Sequence, residues 1–233
     1  MKLRKSLLCG LALAGSLVAS NAYADQEYHG LEARLAATGS IIDQHVSIGH
    51  GGEYDHAAYL WGGINGTLSI GYRWGKVGLY VDQDLGGVWW TGEIKDENGK
   101  VKPEDQPDPA FIGGTYLMLR GLIPAREHAE FDIGFGFGTM YSGGNNTKGS
   151  VLIYDDKLNR SAAFAFKVEF GLTYYFFENV GLGINLDYNL GLNIFDSSLD
   201  KNVCALVEDG CDDGPVYHLV HQINPGIHVV AQF

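Results

Sequence analysis

The last 17 residues of the chain, Tyr217–Phe233, read YHLVHQINPGIHVVAQF and alternate between two kinds of side chain. Counting back from Phe233 in steps of two gives a face that is apolar as far as Leu219, except at His221. The other face is mostly polar, with glutamine, histidine and asparagine. A period of two over this length predicts a β-strand that separates an apolar environment from a polar one.

A chain that ends in such a strand, on an aromatic carboxyl-terminal residue, resembles the closing strand of bacterial outer-membrane β-barrels. The resemblance is to the eight-stranded OmpA-like, OmpX-like and OmpW-like superfamily, and it covers nearly all of the chain after residue 24. It implies that the barrel-assembly machinery of a Gram-negative cell envelope reads this strand as its signal. The residues that carry the signal are Tyr217, Ile223, Ile227, Val229 and Phe233.

The amino-terminal 24 residues have the features of a secretory signal peptide. The basic start MKLRK precedes an apolar stretch over residues 7–18, which is too short to span a bilayer. The sequence AYA at 22–24 predicts cleavage between Ala24 and Asp25, which leaves residues 25–233 as one barrel domain. Leu7-Leu8-Cys9-Gly10 resembles a lipoprotein box. Cys9 precedes most of the apolar run, however, and this position favours a plain signal peptide over lipidation.

The composition favours an acidic, all-β membrane protein. The formal net charge is −12, which argues against nucleic-acid binding because that needs a basic surface. Glycine accounts for 33 of 233 residues, about twice the usual share of roughly 7%. Nothing after the signal peptide has the long apolar run of a membrane helix, so we expect any membrane crossing to use strands.

Eight alternating segments are long enough to cross a bilayer, for which about 9–11 tilted residues suffice. Their connections alternate between long (42–57, 92–110, 142–160, 196–215) and short (74–76, 124–128, 177–179). This arrangement predicts an all-β fold, an eight-stranded antiparallel up-and-down transmembrane β-barrel with long outer loops and short periplasmic turns. The segments are Gly30–Ile41, Ala58–Trp74, Lys76–Thr91, Phe111–Ile123, Ala129–Tyr141, Ser161–Phe176, Val180–Phe195 and Val216–Phe233.

A soluble eight-stranded barrel such as a lipocalin is the structural alternative, because alternation alone does not say which face points outward. The polar face favours the membrane barrel, since it is rich in glycine and asparagine rather than in lysine and glutamate. Aromatic residues near the predicted strand ends also match the two girdles of membrane barrels. These aromatic residues are Tyr59, Trp61, Tyr72, Trp74, Trp89, Trp90, Tyr141, Tyr174–Phe177, Phe195 and Phe233.

Charged residues of both signs are predicted to line the inside of the barrel. Eight strands leave a lumen just wide enough for side chains to fill, so we expect cross-lumen ion pairs and a plugged barrel, as in the OmpA-like and OmpX-like barrels that it resembles. A static polar core is the favoured interpretation, and a gate opened by re-pairing of the charges is the alternative. The predicted network comprises Glu32, Arg34, Arg73, Asp82, Asp84, Arg120, Asp132, Lys167, Glu169 and Asp187.

The predicted first outer loop, 42–57, contains imidazoles and carboxylates that could bind a transition metal. Their spacing matches no standard zinc motif, so an ordinary polar loop is expected and no metal is predicted. His45-Val46-Ser47 has the His-x-Ser form of outer-membrane lipid A deacylases, but no acid that would orient His45 is evident and no catalytic residue is predicted. The possible metal ligands are Asp43, His45, His50, Glu53, Asp55 and His56.

Two cysteines, Cys204 and Cys211, lie in the last predicted outer loop, and an oxidising envelope favours a disulfide between them. The nearby acids Glu208, Asp209, Asp212 and Asp213 could bind calcium weakly, but they lack an EF-hand pattern, so solvated acids are the favoured interpretation. The second predicted loop, Glu93–Asp108, is charged and rich in proline. We hypothesise that divalent cations bridge its carboxylates to lipopolysaccharide.

These features together predict a monomeric, non-enzymatic outer-membrane protein without a cofactor. Its expected partners are outer-membrane lipid, lipopolysaccharide, the assembly machinery and a surface ligand of the outer loops. A narrow porin-like channel for small solutes or ions is the first alternative function. A lipid-modifying outer-membrane enzyme is the second.

Overall fold

The computed structural model describes residues 28–50, 53–90, 110–126, 128–143, 160–196 and 215–233. The predicted signal peptide with its predicted cleavage site at Ala24 and Asp25, the predicted Cys204–Cys211 disulfide and the loop Glu93–Asp108 lie outside the described residues. Within the described part of the chain, no helix is long and apolar enough to span a membrane.

Eight strands form a closed barrel in which every strand pairs with its neighbours in sequence and the last pairs with the first. All eight pairings are antiparallel. The predicted up-and-down barrel is therefore confirmed. The strands are β1 (His29–His50), β2 (Glu53–Trp74), β3 (Val77–Trp90), β4 (Ala110–Arg126), β5 (Ala129–Gly143), β6 (Arg160–Phe177), β7 (Val180–Asp196) and β8 (Pro215–Gln232).

Alternate residues of each strand face either the lumen or the outside, because successive side chains point to opposite faces of a sheet. The outside is apolar: on β5, for example, Phe135 and Phe137 are 60% and 54% exposed. The lumen face of the same strand carries Asp132 and Met140, both buried. An apolar exterior around a polar interior is the arrangement of a barrel whose outer surface contacts lipid rather than water.

The short connections follow β2, β4 and β6, at the barrel end that also holds both ends of the described chain; we call this the turn side and the opposite end the loop side. Gly75, in the connection between β2 and β3, has a φ of 61°, which a residue without a Cβ adopts most easily. Its amide donates a hydrogen bond to the carbonyl of Tyr28 at 2.9 Å.

The predicted first outer loop at 42–57 is wrong. β1 and β2 remain paired from Ile42–Trp61 as far as His50–Glu53, so only two residues separate these strands. The polar residues of this segment do not continue the apolar alternation of the belt. A hairpin that extends beyond the apolar belt into water needs no apolar face, which explains why the alternation ends before the strands do.

The seam between β1 and β8 closes the barrel. Its ladder is interrupted where Gly39 and Ser40 face Asn224 and Pro225, because proline has no amide hydrogen to donate. A direct hydrogen bond between the side chains of Ser40 and Asn224 crosses the seam at this point. The two strands pair again at Ile41, so the interruption is local.

Candidate functional site in the barrel lumen

The ten charged residues predicted to line the lumen all lie on its face, and none is more than 6% exposed. They come from seven of the eight strands and meet across the barrel. A buried charge is costly without a partner. The pairing of these charges therefore decides whether the lumen is a closed core or a path for water and ions.

Glu169 on β6 is the centre of the network. Its two carboxylate oxygens accept hydrogen bonds from two arginines, Arg34 at 2.5 Å and Arg120 at 2.8 Å. Arg34 also donates to Asp132 at 2.9 Å. The Arg120 guanidinium contacts both oxygens of Asp82, at 2.9 and 2.8 Å. One carboxylate therefore links two arginine–aspartate pairs on opposite sides of the lumen.

Lys167 extends the network toward the loop side. Its Nζ lies 3.2 Å from Asp82, 3.1 Å from Asp84 and 3.6 Å from Asp187. Asp82 thus joins the lysine group to the Arg120 group. The side chain of Asn185 donates to Asp187 at 3.0 Å, so the most distant of these carboxylates has a second partner.

The turn side of the lumen holds a third group around Arg73. Its guanidinium donates to both oxygens of Glu130, at 3.0 and 2.5 Å, and lies 3.6 Å from Glu32. Glu130 was missed by the sequence analysis because it lies next to a predicted turn. Glu130 lies two residues from Asp132 on the same strand, so both side chains face the lumen. This spacing was the signal that could have identified it.

The loop side of the lumen is apolar, which the sequence analysis did not predict. Trp61 is the largest side chain there and is only 1% exposed. Its assignment to the outer aromatic girdle was wrong, because it shares a strand face with the lumen residues Asn65 and Arg73. This apolar layer comprises Ile42, Trp61, Val88, Ile112, Met140, Ala163 and Val220.

The lumen is acidic overall. Its described buried residues include seven carboxylates and four cations. Two carboxylate oxygens, Glu32 Oε1 and Asp132 Oδ2, have no hydrogen-bond partner among the described residues. The field inside the barrel therefore favours cations over anions, and the partnerless oxygens are places for internal water molecules.

The carboxyl-terminal assembly residues Ile223, Ile227, Val229 and Phe233 face outward, between 44% and 76% exposed. Tyr217 pairs with Ser47 and Ile194 in register, but its side chain lies outside the described residues. The amide of Phe233 donates to the carbonyl of Leu31 at 2.8 Å.

Tyr28 fastens the carboxyl terminus to the first strand. Its hydroxyl lies 2.5 Å from the carbonyl oxygen of Leu31 and 2.8 Å from a main-chain oxygen of Phe233, and its single proton is shared between them. We call these contacts among Tyr28, Leu31 and Phe233 the carboxyl-terminal clamp, because they hold the end of the closing strand against the first strand.

The structure brings together only part of the histidine and carboxylate set of residues 43–56. His45 Nε2 lies 2.9 Å from Asp43 Oδ2, so the expectation that no acid orients this histidine was wrong. Among the described residues, no group of three histidine, cysteine or acidic side chains is placed to hold a metal ion. The side chains of Ser47, His50, Glu53, Asp55 and His56 lie outside the described residues.

Comparisons with known proteins give matches among solved structures. No protein-family model matches this chain, and no curated protein matches it. Solved structures do match. The Neisserial surface protein A, NspA, is 11% identical, covers 86% of this chain and 97% of its own, and has a TM-score of 0.49. The outer membrane protein OprG from Pseudomonas aeruginosa is 11% identical, with 89% and 99% covered and a TM-score of 0.47.

The outer membrane protein AlkL, solved in lipid bilayers, is 15% identical and covers 92% of this chain and 96% of its own, with a TM-score of 0.42. The fold itself follows from the strand pairing of this chain, which forms a closed barrel of eight antiparallel strands. At these identities and TM-scores the likeness carries no argument about function, so the function has to be argued from the residues of this chain.

Proposed function

We propose that this protein is a non-enzymatic integral protein of the Gram-negative outer membrane, whose closed barrel holds surface loops in place. The observation that carries the proposal is the filled lumen. An apolar layer that includes Trp61 and Met140 lies on the loop side, and a connected ion-pair network centred on Glu169 lies below it. Two packed layers of different chemistry favour a static core over a pore.

The partners that this function implies are outer-membrane lipid and lipopolysaccharide around the belt and the assembly machinery that inserts the barrel. A surface ligand would bind the outer loops. The protein would act as a monomer, since in the described part of the chain each strand of the barrel pairs with two neighbours, which covers the strand edges within the belt.

Planar-bilayer conductance tests the filled lumen. We expect no discrete current steps from the protein, nor from the Arg120→Ala and Lys167→Ala variants, because each substitution leaves the apolar layer in place. A double variant, Trp61→Ala with Arg120→Ala, removes bulk from both layers and is expected to conduct. It therefore serves as the sensitivity control. Heat-dependent electrophoretic mobility would verify folding of each variant.

A narrow cation channel is the second candidate, and the excess of buried carboxylates over cations favours it. In this function the arginine and lysine groups would re-pair to open a path. Discrete steps from the parent protein, changed in size or frequency by Arg120→Ala or Lys167→Ala, would establish the channel and overturn the closed barrel.

A further inference from the structure

Four polar side chains form a cluster on the outer face of the barrel, on the neighbouring strands β7, β8 and β1. We call Asp43, His45, Tyr188 and His221 the outer polar cluster. His45 Nε2 lies 2.9 Å from Asp43 Oδ2, and the Tyr188 hydroxyl lies 2.5 Å from His221 Nδ1. The two imidazole rings meet edge to face at 5.9 Å. His221 is the single exception to the apolar face of the closing strand.

The outer polar cluster interrupts the apolar belt near its loop-side margin. Register pairs Asp43 with His221, and two residues nearer the turn side it pairs Ile41 with Ile223. Ile41 and Ile223 are 54% and 44% exposed, so they belong to the surface that contacts acyl chains. On the loop side of the cluster the apolar outer face continues with Leu192 and Leu219, which face each other in register. The cluster therefore lies one step inside the loop-side margin of the belt, where amphipathic side chains reach lipid headgroups.

The chemistry of the cluster favours hydroxyl groups over phosphate. It contains one carboxylate, two imidazoles and one phenol, with no lysine or arginine to neutralise an anion. The carboxylate accepts hydrogen bonds, while imidazole and phenol both donate and accept. In the contacts above, each histidine ring uses one nitrogen, which leaves the other for a further partner. Aromatic faces beside such groups suit the alternating apolar and hydroxyl surfaces of a sugar ring.

An open apolar surface lies on the same face, on the turn side of the cluster. At Gly39 a Cβ would meet no atom within 4 Å, so no side chain covers the backbone there. Gly39 faces Pro225 at the interrupted part of the seam. A headgroup held at the cluster would therefore have its acyl chain over this surface.

We propose that the outer polar cluster binds a membrane lipid with a hydroxylated sugar headgroup, with its acyl chain over Gly39 and Pro225. The inference rests on the proposed membrane function and adds the class of lipid that this face selects. Hydrogen bonds from the Tyr188 hydroxyl and the histidine rings hold the sugar, and Asp43 accepts from its hydroxyls.

A second polar group on the outer face provides a matched control. The Thr115 hydroxyl donates to Gln83 Oε1 at 2.8 Å, and Gln83 Nε2 donates to the Gly114 carbonyl and the Tyr141 hydroxyl at 3.1 and 2.5 Å. Because these groups satisfy one another, Thr115→Val removes an outer-face hydroxyl without touching the proposed site.

The test is a lipid titration of the processed protein, purified from the membrane fraction and reconstituted in phosphatidylcholine nanodiscs. The imidazole NMR signals of His45 and His221 are assigned from the His45→Phe and His221→Phe variants. We expect saturable shifts of both signals with monoglucosyl diacylglycerol and none with phosphatidylglycerol at the same mole fraction. Tyr188→Phe should weaken the glucolipid affinity about fivefold, the change produced by losing one hydrogen bond of about 1 kcal/mol, while Thr115→Val leaves it unchanged.

Three results would overturn the inference: equal shifts with both lipids, an affinity unchanged by Tyr188→Phe, or the same shifts with free maltose, which has the sugar but no acyl chain. All three leave the proposed function intact, because the protein is then folded in the nanodisc. Absence of the protein from the membrane fraction would overturn both.

Discussion

The two halves of the lumen are filled in different ways, although the same eight strands enclose both. The turn-side half is held by charges, in which Glu169 joins Arg34 to Arg120. The loop-side half is held by packing, in which Trp61 and Met140 are both buried. The comparison shows that a membrane barrel can close its interior with ion pairs where residues are polar and with a small apolar core where they are not.

The largest expected effect comes from breaking the charged half at its centre. Glu169→Ala leaves two buried arginines with one partner fewer each, and removing one member of a buried ion pair costs about 3–5 kcal/mol. Urea unfolding of the protein in detergent micelles or lipid vesicles would measure this loss. Glu178→Ala, at an exposed turn residue, is the matched control and should change the unfolding free energy by less than about 0.5 kcal/mol. A loss for Glu169→Ala as small as that of the control would mean that the network does not hold the turn-side half together.

Breaking the apolar half should cost nearly as much. Trp61→Ala removes the largest side chain of the apolar layer, and a buried tryptophan or phenylalanine replaced by alanine costs about 3–5 kcal/mol. Trp89 is the matched control, since it is 46% exposed on the outer face. The same unfolding measurement should give a clearly smaller loss for Trp89→Ala. Equal losses for the two tryptophans would place Trp61 in a lipid-facing girdle, as the sequence analysis first expected.

The lumen residues could be predicted where the alternation of side chains between the two faces of a strand was clear. Glu32 and Lys167 were placed correctly because charges alternate with apolar residues over a full strand. Trp61 was misplaced because aromatic residues near strand ends suit both a girdle and a lumen, although its spacing from Asn65 already assigned it to the lumen face. His45 was placed in a loop because a hairpin beyond the membrane loses its apolar alternation. Contacts between distant strands, such as Glu169 with Arg34, depend on register, which the sequence alone did not specify.

Two methionines sharpen the comparison, because the same substitution can be made at different distances from the charges. Met118 and Met140 are both fully buried in one apolar cluster. Met118 lies beside Gly134 and Gly136 near the charged network, whereas Met140 lies on the loop side. Methionine-to-alanine changes in cores cost about 2–5 kcal/mol. We expect Met140→Ala near the upper end, because a cavity lined by apolar groups stays empty. Met118→Ala should lie near the lower end, because water can enter and bind the neighbouring charges. Equal losses in chemical unfolding would show that the two positions relax alike.

The smallest expected effect concerns the seam that encloses both halves. Tyr28→Phe removes the hydroxyl that lies between the main-chain oxygens of Leu31 and Phe233, without changing the ring that lies 5.8 Å from the Arg73 guanidinium. A neutral hydrogen bond contributes about 0.5–1.5 kcal/mol, so the unfolding free energy should fall by about 1 kcal/mol. Tyr72→Phe is the control, because it changes an exposed tyrosine of the same barrel end. Hydrogen exchange at the Phe233 amide, which bonds to both Leu31 and Tyr28, adds a local measurement. Faster exchange at Phe233 with unchanged exchange in the middle of β8 would show that the clamp holds only the end of the seam, whereas unchanged exchange at Phe233 would mean that the backbone bond to Leu31 is sufficient by itself.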